Sequence, residues 1–342
     1  MTTLYLGIDV SKSWLDVAVA WSPERREPLG RFSNNEAGFR QLGECVTELC
    51  QQLAGAVVHL VAEPTGGYES NLLYFAYAQG WQVTLVNVLR LRRWAEGRGV
   101  RVKTDRQDAK VLSWYGAEME PSGQEPMDEA AQQLDDLLRR RTDLEKLRRA
   151  ERNRKGVAEH NARTPIPVRE SIERTLQALE EEMAAIEEAI EELLEQFPAL
   201  CQQYMLLRSI PGVGEKVVLP LLALLHRFHA RTRGKGTAKE LTAFVGLDPQ
   251  PYESGTSIYK RTTISRKGDA QVRTLLYMGA VGGSTGHNAL RQHYKLLLAR
   301  GKPKKLALIV CARKILVWAW AIFRSGQPFD PVRLNTMVQA HS

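Results

Sequence analysis

Four acidic side chains in the first third of the sequence have the chemistry of a divalent-metal site. Asp9 lies in an alternating apolar segment that predicts a strand, and Glu63 ends a second strand-like segment, residues 56–63. Asp105 and Asp108 are three residues apart in a segment that predicts a helix, so their side chains share one helix face. Carboxylate oxygens are the ligands that Mg²⁺ and Mn²⁺ prefer, and four clustered carboxylates repel one another unless cations neutralise them.

This acid set predicts chemistry on a phosphodiester. Two ions about 4 Å apart can hold the attacking and leaving oxygens of a phosphodiester in line. Simpler interpretations remain open. Asp9 could be a turn residue at the end of a strand, Asp105 could be a helix N-cap, and any one of the acids taken alone could have a structural role. The metal hypothesis therefore depends on four acids lying on the right elements in the right order.

The elements that must position these acids occupy residues 1–125. Alternating residues in segments 4–10 and 15–19 predict a hairpin, and a third short strand is expected around residues 29–32. Patterns for helix, strand, helix, strand and helix follow, and the last helix opens near Asp105. This order is typical of an α/β ribonuclease-H-like (RuvC-like) domain. It places Asp9 and Glu63 on neighbouring strands.

Residues 126–199 have the pattern of a helical hairpin or coiled-coil stalk. Two helical segments are separated by "RTPIPV", whose prolines must break the helix. The second segment has a heptad seam that predicts a homodimer through residues 128–197, and a dimer of dimers on DNA. The first arm is rich in arginine and the second in glutamate. A solvated surface explains the acidic arm, while nucleic-acid contact stays open for the basic arm.

Residues 200–330 are expected to form a mostly α-helical C-terminal domain, followed by a tail at 331–342. The segment "SIPGVG", with Gly212 and Gly214, has the form of a helix-hairpin-helix turn whose backbone amides could bind a phosphate. An ordinary glycine turn is the alternative.

The charge of the chain favours a polyanionic partner. The formal net charge is +8 and the pI is about 9.3. Clusters of Lys and Arg beside glycines suit a phosphate backbone. The side chains expected to contact it are Arg101, Lys103, Arg106, Lys260, Arg261, Arg266 and Lys267, together with the backbone of Gly212 and Gly214. Scattered cysteines and the lack of a continuous apolar run of about 18 residues predict a cytoplasmic protein without a membrane partner.

Six short motifs resemble one known family. The segments "GIDVSK", "AEPTGGYE" and "KTDRQDAK" resemble the N-terminal motifs of the DEDD transposases of bacterial insertion sequences, the IS-one-ten family. The segments "SIPGVG", "FVGLDPQPYESGTS" and "ISRKGDAQVRTLLYMGA" resemble its C-terminal motifs, and all six occur in consistent order between residues 4 and 320. One departure is Pro64, where the family more often has alanine, and this leaves Glu63 unaffected.

The resemblance implies an insertion-sequence transposase, a DNA recombinase guided by a bridge RNA. The partners of such an enzyme would be donor DNA, target DNA and the guide RNA. The four metal-binding acids of the family correspond to Asp9, Glu63, Asp105 and Asp108, and the cofactor would be Mg²⁺ or Mn²⁺. A C-terminal serine of the family forms a covalent phosphoserine link to DNA. The Ser-Gly motif falls on Ser254 and Gly255. Ser257 is the alternative nucleophile, and without the resemblance either serine is typical of a turn.

Two other functions are consistent with the sequence. One is a metal-dependent endonuclease of the Holliday-junction type that uses water as nucleophile. The other is a nucleic-acid-binding scaffold with a degenerate site. A covalent protein–DNA product would distinguish the recombinase from the junction endonuclease. Metal-dependent cleavage would exclude the non-catalytic scaffold.

Overall fold

The computed structural model describes residues 2–53, 55–100, 105–254 and 258–331. Residues 105–106, 251–254 and 258–262 are described only as parts of a helix or strand. The chain forms two compact units, which are considered separately. The first comprises Met1–Pro126 with Ala230–Arg233, and the second comprises Met127–His229 with Gly234–Ser342.

The first unit is built on a five-stranded mixed sheet. Its strand order is β3-β2-β1-β4-β5, with β1, β2 and β3 antiparallel and with β4 and β5 parallel to β1. This topology is consistent with the predicted ribonuclease-H-like domain. The elements are β1 (Thr3–Val10), β2 (Trp14–Ala20), β3 (Arg26–Ser33), α1 (Glu36–Gln52), β4 (Val57–Ala62), α2 (Ser70–Ala78), β5 (Gln82–Leu85), α3 (Val88–Gly97) and α4 (Asp105–Met119).

The alternation of side chains along β1 gives the sheet two different faces. Leu4, Leu6 and Ile8 are fully buried in a cluster that includes apolar residues of α1 and α2. Tyr5 and Val61 face the other way, into a smaller cluster with apolar residues of α3 and α4. The sheet is therefore covered by α1 and α2 on one face and by α3 and α4 on the other.

The helix α3 is an element that the sequence analysis missed. Its apolar residues follow the helical spacing of Val88, Leu91 and Ala95. Three arginines are interleaved with these residues, and a basic cluster was the only feature predicted here from the sequence. The helix begins at Asn87, whose side-chain oxygen accepts a hydrogen bond from the amide of Arg90 at 3.1 Å.

The second unit is mostly helical around one apolar core. Its elements are α5 (Glu129–His160), α6 (Ile166–Gln196), α7 (Pro198–Arg208), α8 (Glu215–Thr232), α9 (Ala238–Val245), β6 (Pro249–Ser254), β7 (Ile258–Ile264), α10 (Ala270–Gly283), α11 (Ala289–Ala299) and α12 (Lys304–Ser325). The core combines α7 to α12 with those ends of α5 and α6 that carry Leu134 and Leu193. The last residues of α8 belong to the first unit.

Ser254 belongs to a β-hairpin that the sequence analysis did not predict. β6 and β7 pair antiparallel, and Ser254, the last residue of β6, is opposite Ile258. Tyr252, Ile258 and Tyr259 are residue types that favour strands. Prolines suggested a loop to the sequence analysis, but a two-stranded sheet consists of edge strands, in which proline is tolerated.

The two long helices α5 and α6 form an antiparallel hairpin. Arg141 lies 3.4 Å from Glu187, whereas Arg152, further along α5, lies 3.0 Å from the earlier α6 residue Glu180. Heptad residues at both ends of the α6 seam are buried, including Ile172, Leu176, Ile190 and Leu193. Packing within one chain thus covers part of the seam, and the acids of α6 neutralise part of the basic arm. The homodimer stays a prediction.

The helix α12 is long and apolar enough to cross a membrane by length and composition, but half of its most apolar stretch is buried in the protein. Arg313 and Lys314 interrupt its apolar sequence. Trp318 and Ile322 are each only 1% exposed, within the core of the second unit. This burial is typical of the core helix of a soluble protein.

Candidate functional site

The register of the sheet places Asp9 next to Glu63. Ile8 of β1 is paired with Ala62 of β4 in parallel register, so the following residues, Asp9 and Glu63, are neighbours at the carboxyl end of the two strands. Adjacent strands are about 4.8 Å apart. Both side chains are half-buried. We call this end of β1, β4 and β5 the carboxylate edge.

The helix α4 crosses β1 at very close range. A Cβ atom added to Gly7 would lie 2.2 Å from the carbonyl oxygen of Ala109 and 2.2 Å from the amide nitrogen of Ser113, so only glycine allows this approach. Further along α4, a Cβ on Gly116 would lie 2.7 Å from the ring of Tyr5. As β1 runs forward from Tyr5 to Gly7, its contacts on α4 run backward. The amino end of α4 therefore points to the carboxylate edge.

The spacing along α4 brings its acids to the same place. Residues 5, 7 and 9 share one face of β1, and two residues of strand rise by about 6.7 Å. That length corresponds to four or five residues of helix at about 1.5 Å each. The part of α4 nearest Asp9 is therefore the turn that precedes Ala109, which contains Asp105 and Asp108. The half-buried Asp108 thus lies at the carboxylate edge, whereas the side chain of Asp105 is outside the described residues.

The donor set suits a hard cation in its chemistry, and the backbone places its members at one edge of the sheet. Asp9, Glu63 and Asp108 offer only carboxylate oxygens, which suit Mg²⁺ or Mn²⁺. Each of them already makes a polar or electrostatic interaction within the chain. Within the described part of the chain, no three His, Cys, Asp or Glu side chains are grouped closely enough to hold a metal ion.

A further acid at this edge, Asp16, was missed by the sequence analysis. Asp16 of β2 is directly opposite Asp9 in antiparallel register, so both side chains lie on the same face of the sheet. Arg31 donates two hydrogen bonds to Asp16, at 3.0 and 2.7 Å. This bidentate pair neutralises Asp16 and excludes its carboxylate from the candidate ligands. The alternation along β2 was the signal that could have revealed it.

The loop that follows Glu63 is held by a second glutamate. One carboxylate oxygen of Glu69 accepts hydrogen bonds from the amide of Thr65 at 3.2 Å, from the Thr65 hydroxyl, and from the amide of Gly67 at 2.9 Å. Burial raises the pKa of Glu69, but these hydrogen bonds outweigh it and hold the pKa below its usual value. Glu69 is therefore a charged anchor for the backbone next to Glu63.

Asn34 connects this loop to the turn after Asp9. Its side-chain amide donates to the carbonyl oxygen of Ser11 at 2.8 Å and to that of Tyr68 at 3.0 Å. The backbone segments that follow Asp9 and Glu63 are thus tied to each other. Such outer contacts fix the geometry of the ligands that they support.

Glu69→Gln is expected to weaken metal-dependent cleavage of DNA by about 10- to 100-fold, since partners of this kind contribute on that order. The amide oxygen of glutamine is uncharged, so it accepts the same three hydrogen bonds more weakly than the carboxylate oxygen does. The Mg²⁺ concentration for half-maximal cleavage should rise, which distinguishes a loss of positioning from a loss of folded protein. An unchanged Mg²⁺ dependence would contradict the positioning role. Glu44→Gln, on the opposite face of the sheet, is the matched control.

The predicted nucleic-acid contacts are only partly described. Arg101 and Lys103 lie outside the described residues, as do the side chains of Arg106, Lys260 and Arg261. Arg266 and Lys267 are exposed on the loop after β7.

That loop is held firmly against α9. The amide of Arg266, a residue with a positive φ of 56°, donates to the carbonyl oxygen of Gly246 at 3.1 Å. A Cβ on Gly246 would lie 2.2 Å from the carbonyl oxygen of Lys267. The loop therefore presents Arg266 and Lys267 from a fixed backbone.

The glycine turn between α7 and α8 packs against α10. A Cβ on Gly212 would lie 2.4 Å from the carbonyl oxygen of Gly279, and the amide of Val213 donates to Ile210 at 3.0 Å. Close packing thus accounts for Gly212. Gly214 is exposed with open space around it, and its contact with phosphate stays a prediction.

The predicted nucleophile lies at the end of β6. The side chain of Ser254 is outside the description, and residues 255–257, including the alternative Ser257, are outside it entirely. At the base of the hairpin, the amide of Ser265 donates to the carbonyl oxygen of Asp248 at 3.0 Å, and the two side chains are hydrogen-bonded. After the loop that follows β7, Asp269 is the N-cap of α10, and its carboxylate lies 3.1 Å from the guanidinium of Arg227.

The five-stranded mixed sheet is consistent with a ribonuclease-H-like domain, and acids at the carboxyl end of its central strands are typical of enzymes that act on nucleic-acid phosphodiesters. The comparisons with known proteins agree. Residues 6–155 match a family model described as a transposase, that of the DEDD transposases of IS110, and residues 204–295 match the transposases of the IS116/IS110/IS902 family.

Two full-length relatives come from Moraxella. The pilin gene-inverting proteins of Moraxella lacunata and Moraxella bovis are each 30% identical to the chain over 335 residues, covering 96% of it and 98% of the relative. A 43.6 kDa protein of insertion element IS110 from Streptomyces coelicolor is 32% identical over 128 residues, covering 36% of the chain and 29% of that protein. The chain belongs to the IS110 family of transposases, and it is a DNA transposase or recombinase.

Proposed function

We propose that the protein is an RNA-guided recombinase that cuts and rejoins DNA through a covalent phosphoserine at Ser254. The observation that carries the proposal is the convergence of Asp9, Glu63 and the amino end of α4 at the carboxylate edge. This placement supports an acidic site for phosphodiester chemistry in a DNA recombinase. The family resemblance supplies the serine and the RNA guide.

Asp9, Glu63, Asp105 and Asp108 would hold Mg²⁺ or Mn²⁺ in this scheme. A bound divalent ion stabilises negative charge on phosphate oxygens and lowers the pKa of a coordinated hydroxyl. Because the described acids are not grouped as a complete site, we propose that binding of the ion and the DNA phosphate draws them together.

The serine step conserves the energy of the phosphodiester. The Oγ atom of Ser254 attacks phosphorus, a bond from phosphorus to Oγ forms, and the bond to one deoxyribose oxygen breaks. The serine proton is released, and the leaving deoxyribose oxygen takes up a proton. In the second step a deoxyribose hydroxyl of the exchanged strand attacks the same phosphorus and restores the serine. Rejoining therefore needs no external energy source.

The names of the Moraxella relatives support rejoining over simple cleavage. A protein that inverts a gene must join every strand that it cuts. The alternative is a junction endonuclease that uses water, and the acids of the carboxylate edge are equally suited to it.

A trapped-intermediate experiment tests the proposal. The full-length protein, with the nucleic acid that copurifies from cells carrying its flanking DNA, is incubated with labelled DNA of the element ends and Mg²⁺. After denaturation, labelled DNA attached to protein supports the recombinase. Cleaved DNA without attachment contradicts the serine mechanism and supports the junction endonuclease.

The RNA partner is tested on the same preparation. Sequencing of DNase-resistant nucleic acid should return one discrete RNA encoded beside the gene. Heterogeneous RNA, or none, would contradict RNA guidance without affecting the covalent mechanism.

We also propose a homodimer through residues 128–197. Leu179, Met183 and Ile186, in the middle of the α6 seam, are only half-buried by α5. This leaves apolar surface for a second copy of the hairpin. Light scattering of the purified protein gives its mass directly, and a monomer at micromolar concentration would contradict the proposal.

A further inference from the structure

The first turn of α3 lies at the carboxylate edge. β5 is the neighbour of β4 in the sheet, with Leu85 paired to Ala62, and the amide of Val86 donates to the carbonyl oxygen of Ala62 at 2.8 Å. Val86 is therefore the direct neighbour of Glu63, one strand spacing away. The helix α3 begins two residues later, so its first turn starts beside the acids.

Packing on α4 fixes the side of α3 that faces solvent. Leu91 is buried, and the Trp94 ring packs edge-to-face with Trp114 and Tyr115, at centroid distances of 5.1 and 5.2 Å. These tryptophans thus contribute to protein packing. The exposed side of α3 carries Arg90, Arg92 and Arg93, which we call the α3 arginine face, together with Leu89 and one acid, Glu96.

The three cations of the α3 arginine face outnumber its one acid, Glu96. The nearby Glu118 of α4 pairs with Arg98. Across the described residues, none of the three arginines of the face forms an ion pair with a carboxylate. Burial and then the nearby charge of Arg90 lower the pKa of Arg231, which places a fourth cation close to this face. Grouped cations of this kind attract a polyanion and are screened by salt.

We infer that the α3 arginine face binds the phosphate backbone of the DNA strand that enters the carboxylate edge. The inference rests on the proposed function for the place of cleavage. Arginine matches phosphate geometry with paired hydrogen bonds. The tryptophan of α3 is engaged with α4, so backbone contact, which carries no sequence information, is favoured over base recognition. A strand seated on α3 would pass directly to Glu63.

Equilibrium DNA binding by the full-length protein tests this inference in EDTA, where no cleavage occurs. The probe is labelled DNA of the element end, and affinity is measured over a series of salt concentrations. Arg90→Gln and Arg93→Gln should each reduce the slope of log affinity against log salt by about 1, and the double variant by about 2. Arg40→Gln, an exposed arginine of α1 on the opposite face of the sheet, should leave the slope unchanged.

The outcomes separate this inference from the proposed function. A double variant with the wild-type slope would overturn it, as would equal losses in Arg40→Gln. Reduced RNA content with unchanged DNA affinity would assign the α3 arginine face to RNA instead and would also overturn it. Formation of a covalent adduct by the wild-type protein is measured in a separate experiment. The DNA-binding result can therefore be interpreted even if the serine mechanism fails.

Discussion

Asp9→Asn is expected to lower DNA cleavage by about 10³-fold, equivalent to about 4 kcal/mol of transition-state stabilisation. The substitution keeps the size of the side chain and removes the charge that would bind a divalent ion. The effect should be large because Asp9 lies on a central strand beside Glu63, and the adjacent Asp16 is held by Arg31 and cannot replace it.

Single-turnover cleavage measures this effect at saturating and limiting Mg²⁺. Glu48→Gln, an exposed α1 acid on the other face of the sheet, controls for the loss of one negative charge. Thermal unfolding checks that Asp9→Asn remains folded. Wild-type cleavage by the folded Asp9→Asn variant would contradict a metal role for the carboxylate edge.

Ser254→Ala is expected to abolish the covalent protein–DNA product completely, because no other group would take the place of the attacking Oγ atom. The variant should still bind DNA, since alanine removes one hydroxyl and no charge. Denaturing electrophoresis with labelled DNA detects the product at levels far below that of the wild-type protein.

Ser257→Ala is the matched comparison, three residues further along the sequence. It should retain the covalent product if Ser254 is the nucleophile. The reverse pattern would assign the role to Ser257, and persistence of the product in both variants would exclude both serines. Hydrolysis without a covalent product in Ser254→Ala would show that water can use the same acidic site.

Local periodicity was sufficient for most of the strands and helices around the acids. The two-residue alternation of β1 and the apolar segment of β4 are strong patterns, Pro64 marks the end of β4, and Gly80 marks the end of α2. The helix α3 was missed because its apolar stripe is short and three arginines are interleaved with it. The hairpin of β6 and β7 was missed because its prolines and glycine outweighed a strand pattern only a few residues long.

The sequence by itself determined most elements of the first unit, the acids that lie at their ends, and the basic character of the chain. These properties depend on the spacing of residues close together along the chain. Only the tertiary structure decided that α4 crosses β1 at Gly7, and that Asp16 is paired with Arg31 next to the candidate metal ligands. It also decided that the α3 arginine face starts beside Glu63. Strand register and helix crossing bring together residues far apart in sequence, and no local pattern records those distances.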